Sequence, residues 1–258
     1  MIDVHHNILP GFSKGPASME EAILMARLAE REGITTVIAT PTYHPDQSVL
    51  KETIINQSKE LNAYLMNEGV HVHVIPAQHV PVYSELLEDY EAGCLLSVND
   101  KAAYLFLDFP QRNFPLYAEH FIYELQQRQI TPIIVHPEAN PIFLKKTERL
   151  YDLVRQGLLV QLSSQSLLGF HGKEVKQYAL KLIEANQAHF IGSCAHKLDR
   201  KGIGLKQAYQ QVGKVFGNKT MDMFQTNAQA LIDGLPIYLL EPTRVKRKSS
   251  LMHSLFGF

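Results

Sequence analysis

The chain has 258 residues, 45% hydrophobic and 20% charged, which suits one soluble globular domain with a full core. A formal net charge of -1, no tryptophan and no nucleic-acid motif exclude a basic nucleic-acid binder. Only Cys94 and Cys194 are present, which excludes a disulfide scaffold and fits a reducing compartment.

Short apolar, often β-branched runs predict strands at 2–5, 34–40, 71–76, 102–108, 131–136, 158–163 and 188–193. Helical periodicity separates them, at 19–32, 47–67, 115–129, 143–156 and 172–186, with 205–216 and 220–233 closing the series. The first helix is the clearest. Ser18 is placed to cap it, Glu21 completes a capping box, and Met19, Ala22, Ile23, Ala26 and Ala29 form its apolar face before Gly33. Seven strand–helix units predict an α/β fold with a parallel sheet, closed or nearly closed into a barrel. The barrel is expected to occupy residues 1–240.

Residues 241–258 differ in character. Arg244, Lys246, Arg247 and Lys248 precede Leu251, Met252, Leu255, Phe256 and Phe258. This basic and apolar tail reads as a solvated terminus, or as a segment docking on an acidic partner or an inner membrane surface. The opening Met1-Ile2-Asp3-Val4-His5 lacks a signal-peptide pattern, and no apolar run reaches the ~20 residues of a bilayer span. A cytoplasmic protein is expected.

The chemistry-bearing residues sit just after the strand runs. His5 and His6 follow the first, Thr42 and His44 the second, and His79 the third. Asp108 and His136 end the next two, and Cys194 and His196 follow the last. Barrel active sites form at the carboxyl ends of strands. A multinuclear metal site needs many converging imidazoles and carboxylates, and can activate water and clamp a phosphate. One histidine at a strand end is weak evidence for such a site. Six strand ends carrying such residues weigh more.

Three stretches carry a resemblance in the first half: Asp3-Val4-His5-His6-Asn7-Ile8-Leu9-Pro10, Gly15-Pro16 and Ala39-Thr40-Pro41. In the second half it continues through Asp108-Phe109-Pro110, His136-Pro137-Glu138-Ala139-Asn140 and Gly192-Ser193-Cys194-Ala195-His196. Together they resemble the PHP-family (polymerase and histidinol phosphatase) tyrosine-protein phosphatases of Gram-positive capsule and exopolysaccharide loci. The resemblance runs nearly end to end. It implies a distorted (β/α)7 PHP-type barrel, a manganese cluster, and a phosphotyrosine-bearing protein, a bacterial tyrosine kinase, as partner.

The resemblance carries over residue by residue, with substitutions. The family's second opening histidine is Asn7 here, its Asp-Asp-Gly reads Ser13-Lys14-Gly15, and its Thr-Pro-His ends in Thr42. Its glutamate after the third strand is His79, its Ile-Glu-Phe carries the shorter Asp108, and its His-Pro-Glu-Arg-Asn has Ala139 for arginine. Its Ser-Asp-Ala-His has Cys194 for aspartate. The remnant metal set is therefore His5, His79, Asp108, His136, Cys194 and His196. Exchanging carboxylates for imidazole and thiol moves the preference from manganese towards zinc. Lys14 puts a cation where a ligand belonged, and could stand in for a missing ion. Arg200 and Lys201 are candidate anion contacts, or simply loop residues. No catalytic residue is assigned.

Three readings stay open. The first is a phosphatase-like protein that keeps the barrel and pocket with lost or weakened catalysis, a pseudoenzyme. The second is an active metal-dependent phosphotyrosine phosphatase with a reduced site. The third is another zinc-type metallohydrolase on His5, His79, His136 and Cys194. Cys194 as a nucleophile is disfavoured, because no Cys-x5-Arg loop surrounds it.

Overall fold

The computed structural model describes residues 1–12, 14–45, 51–196 and 203–246. Arg200, Lys201 and most of the basic and apolar tail lie outside them, as do the first four positions of the expected 47–67 helix.

The strands are β1 (Ile2–His6), β2 (Thr36–Ala39), β3 (His73–Pro76), β4 (His79–Pro81), β5 (Tyr104–Asp108), β6 (Thr131–Val135), β7 (Leu159–Ser163) and β8 (Phe190–Gly192). All their pairings are parallel, as buried strands linked by helical crossovers require. They form a β1-β2-β3 sheet and a β4-β5-β6-β7-β8 sheet. Two isolated bridges join these sheets. Thr42 pairs with His79 at one seam and His6 with Ala195 at the other. Backbone bonds from Asn7 to Ala195 O (2.8 Å) and from Cys194 to His5 O (2.8 Å) reinforce the second seam. The sheet thus closes on itself, and β3 with β4 forms one strand position broken at Ala77-Gln78. That break is the distortion in the seven-stranded barrel.

Helices α1 (Met19–Arg31), α2 (Lys51–Asn67), α3 (Leu86–Glu91), α4 (Ala118–Gln127), α5 (Pro141–Lys145) and α6 (Thr147–Arg155) come first. After them run α7 (Ser164–Leu168), α8 (Lys173–Glu184), α9 (Leu205–Phe216) and α10 (Asn218–Asp233). The α1 start follows the expected signal with one change. Ser18 Oγ accepts from Glu21 N at 3.3 Å, but Glu21 returns its bond to Ala17 N at 2.8 Å.

Two apolar cores separate cleanly by strand alternation. Val4, Ile38, Phe106, Ile133, Val135 and Phe190 fill the barrel interior with Leu231 of α10 beneath them. Val37, Val74, Leu105, Leu107, Ile134, Val160, Leu162 and Ile191 face the surrounding helices. Residues 241–246 lie against the α8–β8 turn. Thr243 N donates to Ala185 O at 2.9 Å, and Gln187 Nε2 donates to Thr243 O at 2.6 Å. No helix among the described residues is long and apolar enough to cross a membrane.

Candidate metal centre

The carboxyl ends of the strands open into a cavity of about 420 Å³. His5 reaches it from β1, His79 from β4, Asp108 from the end of β5, His136 from the turn after β6, and Cys194 from the turn after β8. The ring centroids of His5 and His79 are 5.0 Å apart, as are those of His5 and His136. Cys194 Sγ lies 3.4 Å from His136 Nε2. Nitrogen or sulfur atoms of His5, His136 and Cys194 all fall within 4.8 Å of one another.

Second contacts orient these side chains. Gln161 Nε2 is committed to Leu162 O at 2.6 Å, so its Oε1 is the atom facing His5 Nδ1 at 3.2 Å. An amide oxygen only accepts, so the ring proton sits on Nδ1 and Nε2 keeps its lone pair for a ligand. Asp3, fully buried two residues before His5 on β1, accepts from Ser193 N at 2.8 Å and from Ser193 Oγ. These bonds fix the Gly192–Cys194 turn against β1. Glu138 accepts from Ser163 N at 2.8 Å and ties the His136 turn to β7.

Three of the cavity residues hold left-handed backbone: Lys14 (φ 65°), His136 (φ 52°) and Cys194 (φ 59°). Non-glycine residues pay roughly 1–2 kcal/mol for that conformation, which concentrates at functional sites. Gly192 is small for another reason. A Cβ there would stand 2.7 Å from His5 Cβ and 3.1 Å from His5 N.

The site is built for neutral donors. Burial, then the neighbouring His136 and His79, hold His5 well below the usual histidine pKa. Burial and His79 lower His136 to about 3. Burial also pushes the Cys194 thiol well up, with the Asp3 charge adding to it. Burial opposes charge on Asp108, yet contact with His79 and the fields of His136 and Lys14 outweigh it and its pKa falls. His79 Nε2 is buried 3.4 Å from Asp108 Oδ2 without hydrogen-bond geometry, so its lone pair or proton is unused.

These residues fit one ion of the softer kind. A cation would offset the cost of ionising Cys194 and would engage the idle His79 nitrogen. They do not fit three hard ions. Among the described lining residues Asp108 is the one acid, while Asn7 is amide and Lys14 a cation. Thr42 is spent on the sheet seam, and its buried hydroxyl has no partner. Ala139 lines the cavity without a polar group. His196 also lines it but is exposed, with Nδ1 at 3.2 Å from Cys194 O, and its atoms are not among the three that converge. Gln161, Asp3 and Glu138 are functional groups that strand-end reasoning passes over. Their signal was a polar side chain inside an otherwise apolar run, as in Leu159-Val160-Gln161-Leu162.

The family model for capsular polysaccharide synthesis, CpsB/CapC, matches residues 1–233. Tyrosine-protein phosphatase YwqE of Bacillus subtilis (strain 168) is 37% identical over 261 residues, spanning 100% of both chains. Tyrosine-protein phosphatase CpsB of Streptococcus pneumoniae is 24% identical over 240 residues, 90% of this chain and 98% of its own. One solved chain, from the crystal structures of YwqE and CpsB as unique metal-dependent tyrosine phosphatases, superposes with a TM-score of 0.91 at 36% identity. That match covers 96% of this chain and 100% of the other. The phosphotriesterase homology protein of Escherichia coli, at TM-score 0.56 and 10% identity, shares the fold alone.

Proposed function

The chain belongs to the CpsB/CapC family of capsular polysaccharide synthesis, and from that premise we propose a phosphotyrosyl-protein phosphatase with a contracted metal site and weakened turnover. The observation that carries this is the convergence of His5, His136 and Cys194 in a cavity whose described walls supply a single carboxylate, Asp108. An ion held by these three, with His79 beside them, would supply Lewis acidity towards water and a phosphoryl oxygen. The donor set favours zinc over manganese. Phosphorylated tyrosine on a bacterial kinase is the substrate the family resemblance implies, and a cytoplasmic setting suits it.

The chain's own residues do the rest. Gln161 holds His5 in the ligating tautomer. Lys14 places a fixed positive charge at the cavity and lowers the energy of an anionic phosphoryl group there. The same ammonium repels a second or third metal ion, which is why turnover is expected below that of a multi-ion cluster. Asn7 and Gln111 offer polar contacts around the opening.

The test is to titrate metal-stripped full-length protein with zinc and with manganese while following hydrolysis of a phosphotyrosyl peptide, with His136→Ala as control. Slow, zinc-supported turnover that vanishes in His136→Ala is the expected result. Three manganese ions per chain with brisk turnover would overturn the contracted site. Peptide binding without turnover at any metal level would leave a phosphatase fold kept for binding.

A further inference from the structure

We propose that His171 is a phosphoryl-contacting residue of this cavity, an inference that rests on the phosphotyrosyl reading above. His171 lines the cavity but belongs to no strand end. It comes from the turn that follows α7, between Gly169 (φ 89°) and Gly172 (φ 96°). Both glycines hold a backbone shape that other residues adopt at a cost, so the turn is specified. Phe170 N donates to Gln165 O at 2.9 Å and Gly172 N to Gly169 O at 3.1 Å. The imidazole is therefore delivered from a hydrogen-bonded turn.

The ring is also oriented. Ser166 Oγ, wholly buried on α7, lies 3.0 Å from His171 Nδ1. With Nδ1 engaged, Nε2 is the nitrogen left for a ligand. The strand-end histidines crowd one another and share a donor set, whereas His171 is exposed and stands outside the converging group. It is still close enough for its charge to act on His136. An exposed imidazole with one nitrogen tied back is a surface histidine unless it faces a ligand, and this one faces the metal-ligating cavity. A phosphoryl group presents three terminal oxygens. Lys14 from the β1–α1 loop, Gln111 from the β5–α4 loop and His171 from the α7–α8 turn bring donors from three separate segments. Among the described lining residues Lys14 is the one Lys or Arg, so one further hydrogen-bonding group on the phosphoryl oxygens changes the anion affinity of the cavity strongly.

The test uses the full chain, loaded with zinc, and inorganic phosphate as the probe. Histidine ring signals are followed by NMR, with His171 assigned by its loss in His171→Gln, and phosphate affinity is measured by calorimetry. Phosphate is expected to shift the His171 signal. His171→Ala is expected to weaken phosphate binding about tenfold or more, the value of one hydrogen bond to a charged group. His171→Gln, which keeps an amide donor, should recover part of it, and KM for the phosphotyrosyl peptide should rise more than kcat falls. Zinc content should stay unchanged in both variants. A His171 signal unmoved by phosphate, or an affinity in His171→Ala within twofold of the parent, would overturn the proposal. The two readings separate cleanly. Phosphate acting on His171 without peptide turnover supports this contact and sinks the phosphatase reading, and turnover with His171 unmoved does the reverse.

Discussion

At the residue scale, the side chains that line the cavity decide which ion it would hold. Cys194 is the clearest case. Half-buried and 3.4 Å from His136 Nε2, its thiol is held well above its usual pKa and ionises readily only when a cation compensates. Cys194→Ser is therefore expected to lower zinc affinity by at least about tenfold, with a much smaller effect on manganese, measured by competition with a chelating dye. Lys14 makes the opposite statement. Lys14→Asp combined with Thr42→His and Cys194→Asp should raise manganese uptake and phosphatase activity together. If uptake stays unchanged, Lys14 does not occupy the place of an ion.

At the scale of elements, the site depends on how closely β8 approaches β1. Gly192 allows that approach, and Gly192→Ala would drive a methyl group into His5. The cost is expected to exceed about 2 kcal/mol, as for overpacking against backbone, and zinc affinity should fall with it. A shift in urea midpoint accompanied by intact zinc binding would show that β1 yields without moving His5. Asn140 is the second junction. Its Oδ1 accepts from Ile142 N at 2.9 Å, capping α5, while its Nδ2 donates to Phe109 O at 3.0 Å across to the loop after β5. Asn140→Ala should cost about 1–2 kcal/mol in thermal or urea unfolding.

Elements also show where the sequence could be read and where it could not. The seven expected strands are present because buried parallel strands are continuous apolar runs, and most of these runs end in or shortly before a visible polar residue. His79–Pro81 is paired as a strand in its own right, although His79 reads from sequence as a residue following one. Three residues with a proline carry too little pattern, and pairing with β5 decided the matter. The expected 143–156 helix is two helices. Asn140-Pro141 starts the first earlier, and Lys146 (φ -124°, ψ 70°) separates it from the second. Helices of five or six residues such as α3 and α7 fall below one reliable amphipathic period. The polar side chains that converge on the cavity were legible for the same reason as the strands, since they follow strand ends. Gln161 and His171 were not, because one sits inside a strand and the other in a turn eight residues beyond one.

At the scale of the whole molecule, stability and acidity are linked through buried histidines. His189 accepts from Val160 N at 2.9 Å through Nδ1, and burial lowers its pKa to about 4. The folded chain thus keeps it neutral while the unfolded chain protonates it below about 6.5. Its contribution is lost as pH falls from about 6.5 towards 4, by about 3 kcal/mol in all. Asp3 and Glu138, raised by burial to about 7, act in the opposite sense over that range. The difference between parent and His189→Gln isolates the histidine. Relative to the parent, the variant should gain stability steadily from pH 7 to pH 4 in urea titrations. A constant offset at every pH would mean that His189 is not buried neutral.

The seam between β1 and β8 also sets a timetable. Asp3 and His5 leave the ribosome long before their partners Ser193 and Cys194, which lie about 190 positions later. Until that last strand arrives, the nascent chain holds an unpaired sheet edge and only part of a ligand set. Loop closure over such a span is slow. On the proposed metal reading, ion capture would therefore report completion of the barrel: a chain stopped before Phe190 would lack Cys194, while the full chain would hold the ion once β1 and β8 meet.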